Sequence, residues 1–90
     1  MTANDAIRNY RAILLGRLNN TKNEIEYYKK NLKYLDENPG KFKNEKLMRD
    51  LINMSIEDLT EYYNKLLAQI DIIDKEIEYE EKENETWKFK

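Results

Sequence analysis

Apolar residues recur at alternating intervals of three and four along the first part of the chain. In a seven-residue repeat lettered a to g, the core positions a and d are occupied here by Ile7, Leu14, Leu18, Thr21, Ile25, Tyr28, Leu32 and Leu35. This spacing is typical of a helix that packs along one stripe, as helices do in coiled coils. It predicts a first long helix over about residues 4 to 37, on the order of 50 Å long at about 1.5 Å per residue.

A turn is predicted directly after this helix, in the segment DENPGKF. Pro39 disfavours helical geometry at Asn38, and Gly40 frees the backbone for a turn. A short helix is predicted next, over about residues 44 to 52, as a corner between two long helices. Its apolar side chains are Leu47, Leu51 and Ile52, with Phe42 just before it.

Asn53 and Ser55 indicate a boundary between this short helix and a last long one. Asn53 is suited to end a helix in the left-handed conformation, and Ser55 is suited to cap the start of the next helix. The last helix is predicted over about residues 56 to 83, with core positions at Ile56, Leu59, Tyr63, Leu66, Ile70, Ile73 and Ile77. Residues 84 to 90 are predicted to form a frayed acidic tail.

The stretch LINMSIEDLTEYYNKL, residues 51 to 66, resembles the turn and second helix of a helix-turn-helix DNA-binding motif. Arg49 stands where such a motif needs a small residue to let its two helices approach. The helix that would enter the groove is also acidic at its start, with Glu57, Asp58 and Glu61 facing phosphate. We interpret the stretch as a corner between helices.

Together these elements predict one all-α domain over residues 1 to 90, a coiled-coil-like helical hairpin of two long antiparallel helices joined by a short helical corner. The charge distribution fits this pairing. Residues 1 to 54 contain eleven basic and seven acidic side chains, whereas residues 55 to 90 contain five and eleven. Opposite charges bias which helices pair, although each exposed pair contributes at most about 1 kcal/mol.

The apolar stripes are wider than such a hairpin can cover. Extra apolar residues fall at positions c and g, on the d side of each stripe. They are Tyr10, Ile13, Tyr27, Tyr34, Tyr62, Ile72 and Tyr79. Because large exposed apolar patches mark interfaces, we expect a homodimer that completes a four-helix-type bundle. The alternative is that the short helix and local bending hide most of these residues.

Composition narrows the range of functions. The chain has no Cys and no His, which removes thiolate chemistry, the commonest metal ligand and the usual general base. We therefore predict no enzymatic activity, no cofactor and no metal site. The N-terminus lacks a signal-peptide pattern, and no apolar run approaches the roughly 18 residues of a membrane span. A cytoplasmic location without a membrane partner is expected.

The predicted function is non-enzymatic protein binding, as a small regulator, inhibitor or adaptor of a host protein. The abundance of Asn, Lys, Ile and Tyr is typical of AT-rich genomes, and the small size fits a phage or mobile element in a bacterial host. The candidate partner-binding residues are the tyrosines outside the core and the acidic tail with its tryptophan. They are Tyr10, Tyr27, Tyr34, Tyr62, Tyr79, Glu80, Glu81, Glu83 and Trp87.

Two alternative functions stay open. One is a nucleic-acid-binding regulator that uses the basic flank of the first helix, with Arg8, Arg11, Lys22, Lys29 and Lys33 as its candidate residues. Glu24 and Glu26 interrupt that flank, and the net charge of the chain is −2, which makes nucleic acid the weaker expectation. The other is a structural or ligand-sequestering oligomer, with a pocket between subunits lined by tyrosines and lysines.

Overall fold

The computed structural model describes the backbone of residues 2 to 88 and the side chains of residues 2 to 82. Two helices form almost all of it, α1 (Ala3–Glu37) and α2 (Glu45–Lys88). They lie side by side and antiparallel, in a rod with extents of 73 × 19 × 16 Å. The radius of gyration is 20.6 Å, whereas a compact domain of this length has about 12 Å. The predicted all-α hairpin of two long antiparallel helices is confirmed.

α1 begins with two reciprocal hydrogen bonds between Thr2 and Asp5. The backbone N–H of Asp5 donates to Oγ1 of Thr2 at 3.1 Å, and the N–H of Thr2 donates to Oδ2 of Asp5 at 3.2 Å. This capping box satisfies N–H groups that a helix leaves free at its start. Hydrogen bonding to Thr2, first to its backbone and then to its side chain, lowers the pKa of Asp5 below its ordinary value.

α1 ends in the predicted turn. The backbone N–H and the side-chain Nδ2 of Asn38 both donate to the carbonyl oxygen of Tyr34, at 3.0 and 2.9 Å. Pro39 follows, and Gly40 has a φ of 78°, in the left-handed region that glycine adopts without steric cost. The chain therefore reverses direction over residues 38 to 44, and α2 starts at Glu45.

The core is one seam between the two helices, in which the contacting positions alternate by three and four residues. On α1 the seam residues are Ile7, Arg11, Leu14, Leu18, Thr21, Ile25, Tyr28, Leu32 and Leu35, and all are buried or half-buried. On α2 they are Glu45, Arg49, Ile52, Ile56, Leu59, Tyr63, Leu66, Ile70, Ile73, Ile77 and Glu80, and all are buried or half-buried. On the open-end side of the seam, Leu14, Leu66 and Ile70 form a buried cluster. The seam confirms the coiled-coil-like packing.

Thr21 is the polar residue buried in this seam, with 5% of its surface exposed. Its hydroxyl donates to the carbonyl oxygen of Arg17 at 2.8 Å. This bond within the helix satisfies the hydroxyl, so its burial leaves no unpaired polar group.

The predicted boundary at Asn53 and Ser55 is wrong, because α2 runs through both residues without a break. Among the described residues only Gly40 has a positive φ, so Asn53 does not take the left-handed conformation that ends helices. Continuity keeps the half-buried Ile52 in line with Ile56 and with the rest of the seam. A capping residue stabilises a helix by about 1 kcal/mol, which does not offset a break in the backbone hydrogen bonds and in the seam.

The predicted short helix over residues 44 to 52 is therefore the first part of α2. Its apolar side chains also lie differently from the prediction. Leu47 and Leu51 are 56% and 54% exposed, and the half-buried position between them belongs to Arg49.

The far end of α2 differs from the prediction as well. The helix continues to Lys88, beyond the expected end near Glu83. The backbone of the predicted frayed tail is thus helical as far as Lys88, and residues 89 and 90 lie outside the described part of the chain.

Candidate protein-interaction surface

Two ion pairs between the helices define how α1 and α2 lie along each other. Arg11 pairs with Asp74 near the open end of the hairpin, and Asp36 pairs with Arg49 beside the turn. In both pairs the residue numbers add up to 85, and in a third pair, Arg8 with Glu81, they add up to 89. Residue n of α1 therefore lies level with residue 85 − n of α2 to within about one helical turn. The hydrogen bond to Asp74, together with the charge of that carboxylate, raises the pKa of Arg11.

The hairpin has two long sides, one to each side of the seam. Because the two helices run in opposite directions, the e positions of α1 and α2 lie on one side of the seam, and the c and g positions of both helices lie on the other side. The grooves agree with this rule. Lys22 and Lys29 line one groove together with Thr60 of α2, whereas Tyr34 lines another together with Met48.

The first side, which we call the charged flank, consists of the e positions of both helices. Its residues are Arg8, Leu15, Lys22, Lys29, Asp36, Lys46, Asn53, Thr60, Leu67, Asp74 and Glu81. An ion pair crosses this flank from Nη2 of Arg8 to Oε1 of Glu81, at 2.7 Å. This pair joins a basic residue of α1 to an acidic residue of α2, and so does the pair of Arg11 with Asp74, whereas the pair of Asp36 with Arg49 has the opposite sense.

The second side, which we call the tyrosine flank, consists of the c and g positions. From α1 it contains Ala6, Tyr10, Ile13, Arg17, Asn20, Glu24, Tyr27, Asn31 and Tyr34. From α2 it contains Met48, Leu51, Ser55, Asp58, Tyr62, Lys65, Gln69, Ile72, Glu76 and Tyr79. Apolar residues dominate both ends of this flank, and charged residues lie near its middle.

Every apolar residue that the sequence analysis left outside the core lies on the tyrosine flank and is exposed. The exposed fractions are 49% for Tyr10, 53% for Ile13, 63% for Tyr27, 49% for Tyr34, 42% for Tyr62, 67% for Ile72 and 59% for Tyr79. The prediction that one hairpin cannot cover them is confirmed. The alternative of a short helix that hides them is wrong, because that segment is part of α2.

The acidic residues proposed for partner binding are placed less uniformly. Glu80 is half-buried at the end of the seam, and the carboxylate of Glu81 pairs with Arg8 on the charged flank. Glu83 and Trp87 belong to α2, but their side chains lie outside the described part of the chain. Of the candidate set, the five tyrosines are therefore the residues that the fold brings together on one face.

The candidate nucleic-acid residues do not form one free basic surface. Arg8 and Arg11 are engaged by carboxylates of α2, and Nζ of Lys33 lies 4.0 Å from Oε1 of Glu37 in the same helix. Lys22 and Lys29 are exposed beside the groove on the charged flank.

Sequence reasoning missed two residues of the tyrosine flank. Met48 and Leu51 are 36% and 54% exposed, and both extend the apolar face toward the turn. In that region Tyr34 packs against Phe42 in an edge-to-face contact, with ring centroids 6.4 Å apart. Counting the repeat backward from Ile56, with no break at Ser55, places Leu51 at c and Met48 at g, and this signal would have found them.

No family model, no curated protein and no solved structure matches this chain. Among the described residues, none of the helices is both long enough and apolar enough to cross a lipid bilayer. The surface itself is therefore the basis for a functional proposal.

Proposed function

We propose that this chain is a non-enzymatic protein-binding module, a small regulator, inhibitor or adaptor that recognises protein through its tyrosine flank. The observation that supports the proposal is the contrast between the two sides of one hairpin. One side is occupied mainly by charged and polar side chains, and the other exposes tyrosine and aliphatic side chains toward both of its ends, with charged and polar residues between them.

The chemistry of the tyrosine flank suits a protein partner. Tyrosine combines a large apolar ring with a hydroxyl that can stay hydrated until it meets a partner, and it is enriched at binding hot spots. A rigid helical support also reduces the entropy lost on binding. Arg17, Glu24, Asp58 and Lys65 lie among the apolar residues, and mixed charges of this kind favour one partner and one orientation over others.

The nucleic-acid alternative receives less support from the described residues. Two of its five candidate cations, Arg8 and Arg11, already pair with carboxylates of α2. A nucleic acid would have to displace those carboxylates before it could use the cations.

The proposal is tested by capture experiments with variants of the two flanks. The binding variant combines Tyr27→Asp with Ile72→Asp, and the control combines Leu15→Asp with Leu67→Asp. The control residues are 39% and 43% exposed on the charged flank, so both variants add the same charge at exposed helical sites. Circular dichroism first verifies that both retain the helical content of the wild type.

Tagged chain is then incubated with a nuclease-treated bacterial lysate that is supplemented with untagged chain. Bound proteins are identified by mass spectrometry. A protein that the wild type and the control retain in stoichiometric amount, and that the binding variant loses, supports the proposal. If no protein shows that pattern, the tyrosine flank is not a protein-binding surface.

A further inference from the structure

The residues along the tyrosine flank of each helix are arranged symmetrically about a central position. On α1 the centre is Asn20. Arg17 and Glu24 stand on either side of it with opposite charges, and Ile13 and Tyr27 stand beyond them as apolar residues. The charged pair and the apolar pair beyond it are therefore complementary across the centre.

The same arrangement occurs on α2, where the centre is Tyr62. Asp58 and Lys65 stand on either side of it with opposite charges. Ser55 and Gln69 follow as polar residues, and Leu51 and Ile72 as apolar residues. Both helices therefore show the same pattern. Outward from the centre, a pair of opposite charges comes first and a pair of apolar residues follows. In α2 a pair of polar residues lies between them.

The two centres lie at nearly the same height along the hairpin. By the register of the ion pairs, Tyr62 is level with residue 23 of α1, three residues from Asn20. Three residues span about 4.5 Å, less than one helical turn. A single two-fold axis perpendicular to the rod can therefore pass close to both centres.

We propose that a second copy of this chain covers the tyrosine flank, antiparallel to the first, about a two-fold axis that passes near Asn20 and Tyr62. The inference rests on the proposed function, because it names the protein that this flank binds. The two turns then lie at opposite ends of a four-helix assembly. Each α1 faces the α1 of the second copy, and each α2 faces the α2 of the second copy.

This arrangement pairs the charged residues near the centre of the flank. Arg17 of one copy lies opposite Glu24 of the other, and Lys65 lies opposite Asp58. Because of the two-fold symmetry, each of these ion pairs occurs twice in the dimer. Within the described part of the chain, these four exposed side chains take part in no ion pair. A two-fold axis along the rod would instead place Arg17 near Lys65 and Glu24 near Asp58. These like charges would oppose association.

The apolar residues find complements in the same arrangement. Ile13 faces Tyr27 of the second copy, Leu51 faces Ile72, and the small Ala6 leaves room for Tyr34. On α1, Tyr10 falls opposite the half-buried Asn31, and on α2 the match ends at Glu76, which falls opposite Met48 at the edge of the contact.

The size of the matched surface fits a dimer. Tyr10 and Tyr34 lie about 36 Å apart along α1 at about 1.5 Å per residue, and the hairpin is 19 Å wide. The contact is therefore on the order of 700 Å² on each copy, close to the roughly 800 Å² per partner of a standard protein interface.

The test exchanges charges between two variants of the full chain. The acidic variant combines Arg17→Glu with Lys65→Glu, and the basic variant combines Glu24→Lys with Asp58→Lys. Sedimentation equilibrium at low salt measures the dissociation constant of each alone, of their equimolar mixture and of the wild type. We expect the wild type to dimerise and each variant alone to dissociate at least tenfold more readily. The mixture is expected to form a heterodimer, and a chain with all four substitutions is expected to dimerise again.

The contrary outcomes are distinct. A monomeric wild type overturns the inference, and so does a dimer that both charge variants form as tightly as the wild type. A mixture that stays monomeric overturns the antiparallel orientation. The proposed function survives each of these results if the binding variant still loses a captured lysate protein. A capture pattern that is absent for lysate proteins and for the untagged chain alike overturns both the proposed function and the inference.

Discussion

Arg49 and Asp36 connect the start of α2 to the end of α1 across the turn. Nη1 of Arg49 lies 2.7 Å from Oδ1 of Asp36, and its Nη2 lies 3.1 Å from Oε1 of Glu45 in the first turn of α2. These two carboxylates raise the pKa of Arg49, with the hydrogen bond to Asp36 as the largest cause. The guanidinium of Arg49 therefore holds the two helix ends beside each other at the turn.

We expect Arg49→Gln to lower the urea midpoint of unfolding slightly, because the substitution removes both ion pairs while it keeps the side-chain stem as far as Cδ. The loss should shrink at high salt, where ion pairs near the surface are screened. Lys75→Gln is the matched control, since Lys75 pairs with Asp71 within one helix and connects nothing across the hairpin. Equal effects of the two substitutions at low salt would contradict a role of Arg49 at the turn.

The buried cluster provides a prediction of larger magnitude. Leu66 is 2% exposed and its neighbour Leu67 is 43% exposed, although both are leucines in the middle of α2. We expect Leu66→Ala to lower the free energy of unfolding by about 2–5 kcal/mol, through lost burial and the cavity that it leaves. Leu67→Ala should change it by less than about 0.5 kcal/mol.

Urea unfolding followed by circular dichroism measures both leucine variants, at one protein concentration because association would add to the stability. Similar losses for the two substitutions would mean that Leu67 is buried in solution, contrary to the seam.

The seam was predictable from the sequence because it depends on a pattern that few other structures share. Ile7, Leu14 and Leu35 in α1 and Leu66 and Ile70 in α2 follow the alternation of three and four, and all five lie in the seam. A pattern that persists over many turns outweighs the preference of any single residue. The helical hairpin followed from this pattern together with the turn at Pro39 and Gly40.

The break at Asn53 was predicted wrongly because local preference was given more weight than register. Leu47 and Leu51 were predicted to lie on the packed face of a short helix because they are apolar. The repeat counted back from Ile56 assigns Arg49 and Ile52 to the seam instead. A long side chain such as that of Arg49 can bury its stem and keep its charge at the surface. Apolar character alone therefore did not identify the buried face.

Apart from Met48 and Leu51, the exposed apolar residues of the tyrosine flank were predictable from the sequence, but the shape of the flank was not. The sequence shows that Tyr27 and Ile72 lie outside the core of their own helices. Their position on the same side of the molecule depends on antiparallel packing, and their relative height depends on the ion pairs that set the register. Both are properties of the assembled hairpin.

The continuity of α2 predicts the sign of a substitution effect at Asn53. We expect Asn53→Ala to raise the free energy of unfolding by up to about 0.5 kcal/mol, because alanine is the better residue inside a helix. If Asn53 instead ended a helix in the left-handed conformation, Asn53→Ala would not raise the free energy of unfolding. Met54→Pro should lower the free energy of unfolding by about 3 kcal/mol or more, since proline removes an internal hydrogen bond and clashes with the preceding turn.

Urea unfolding of the Asn53 and Met54 variants separates a continuous helix from a corner. Destabilisation by Asn53→Ala together with tolerance of proline would show that a break exists here. Ala68→Pro, at an exposed position farther along α2, gives the reference for a proline in an undisputed helix.

The capping box predicts a pH-dependent contribution of Asp5 to stability. Its pKa is lower in the folded chain than in the unfolded one, because the carboxylate accepts a hydrogen bond from Thr2. The stabilisation is therefore fully present above the unfolded pKa of about 3.9, and it is lost as the pH falls through the folded value. Asp5→Ala should lower the urea midpoint at neutral pH, and the difference from the wild type should disappear in acid.

Carbon-detected NMR of the Asp5 carboxyl group tests the cause directly. We expect its titration midpoint to lie below that of an unstructured aspartate, and Thr2→Ala to move it upward by removing the side-chain half of the capping box. The backbone N–H of Thr2 remains in that variant, so the shift should be partial. An unchanged midpoint in Thr2→Ala would mean that the reciprocal bonds do not form in solution, and that α1 starts without this cap.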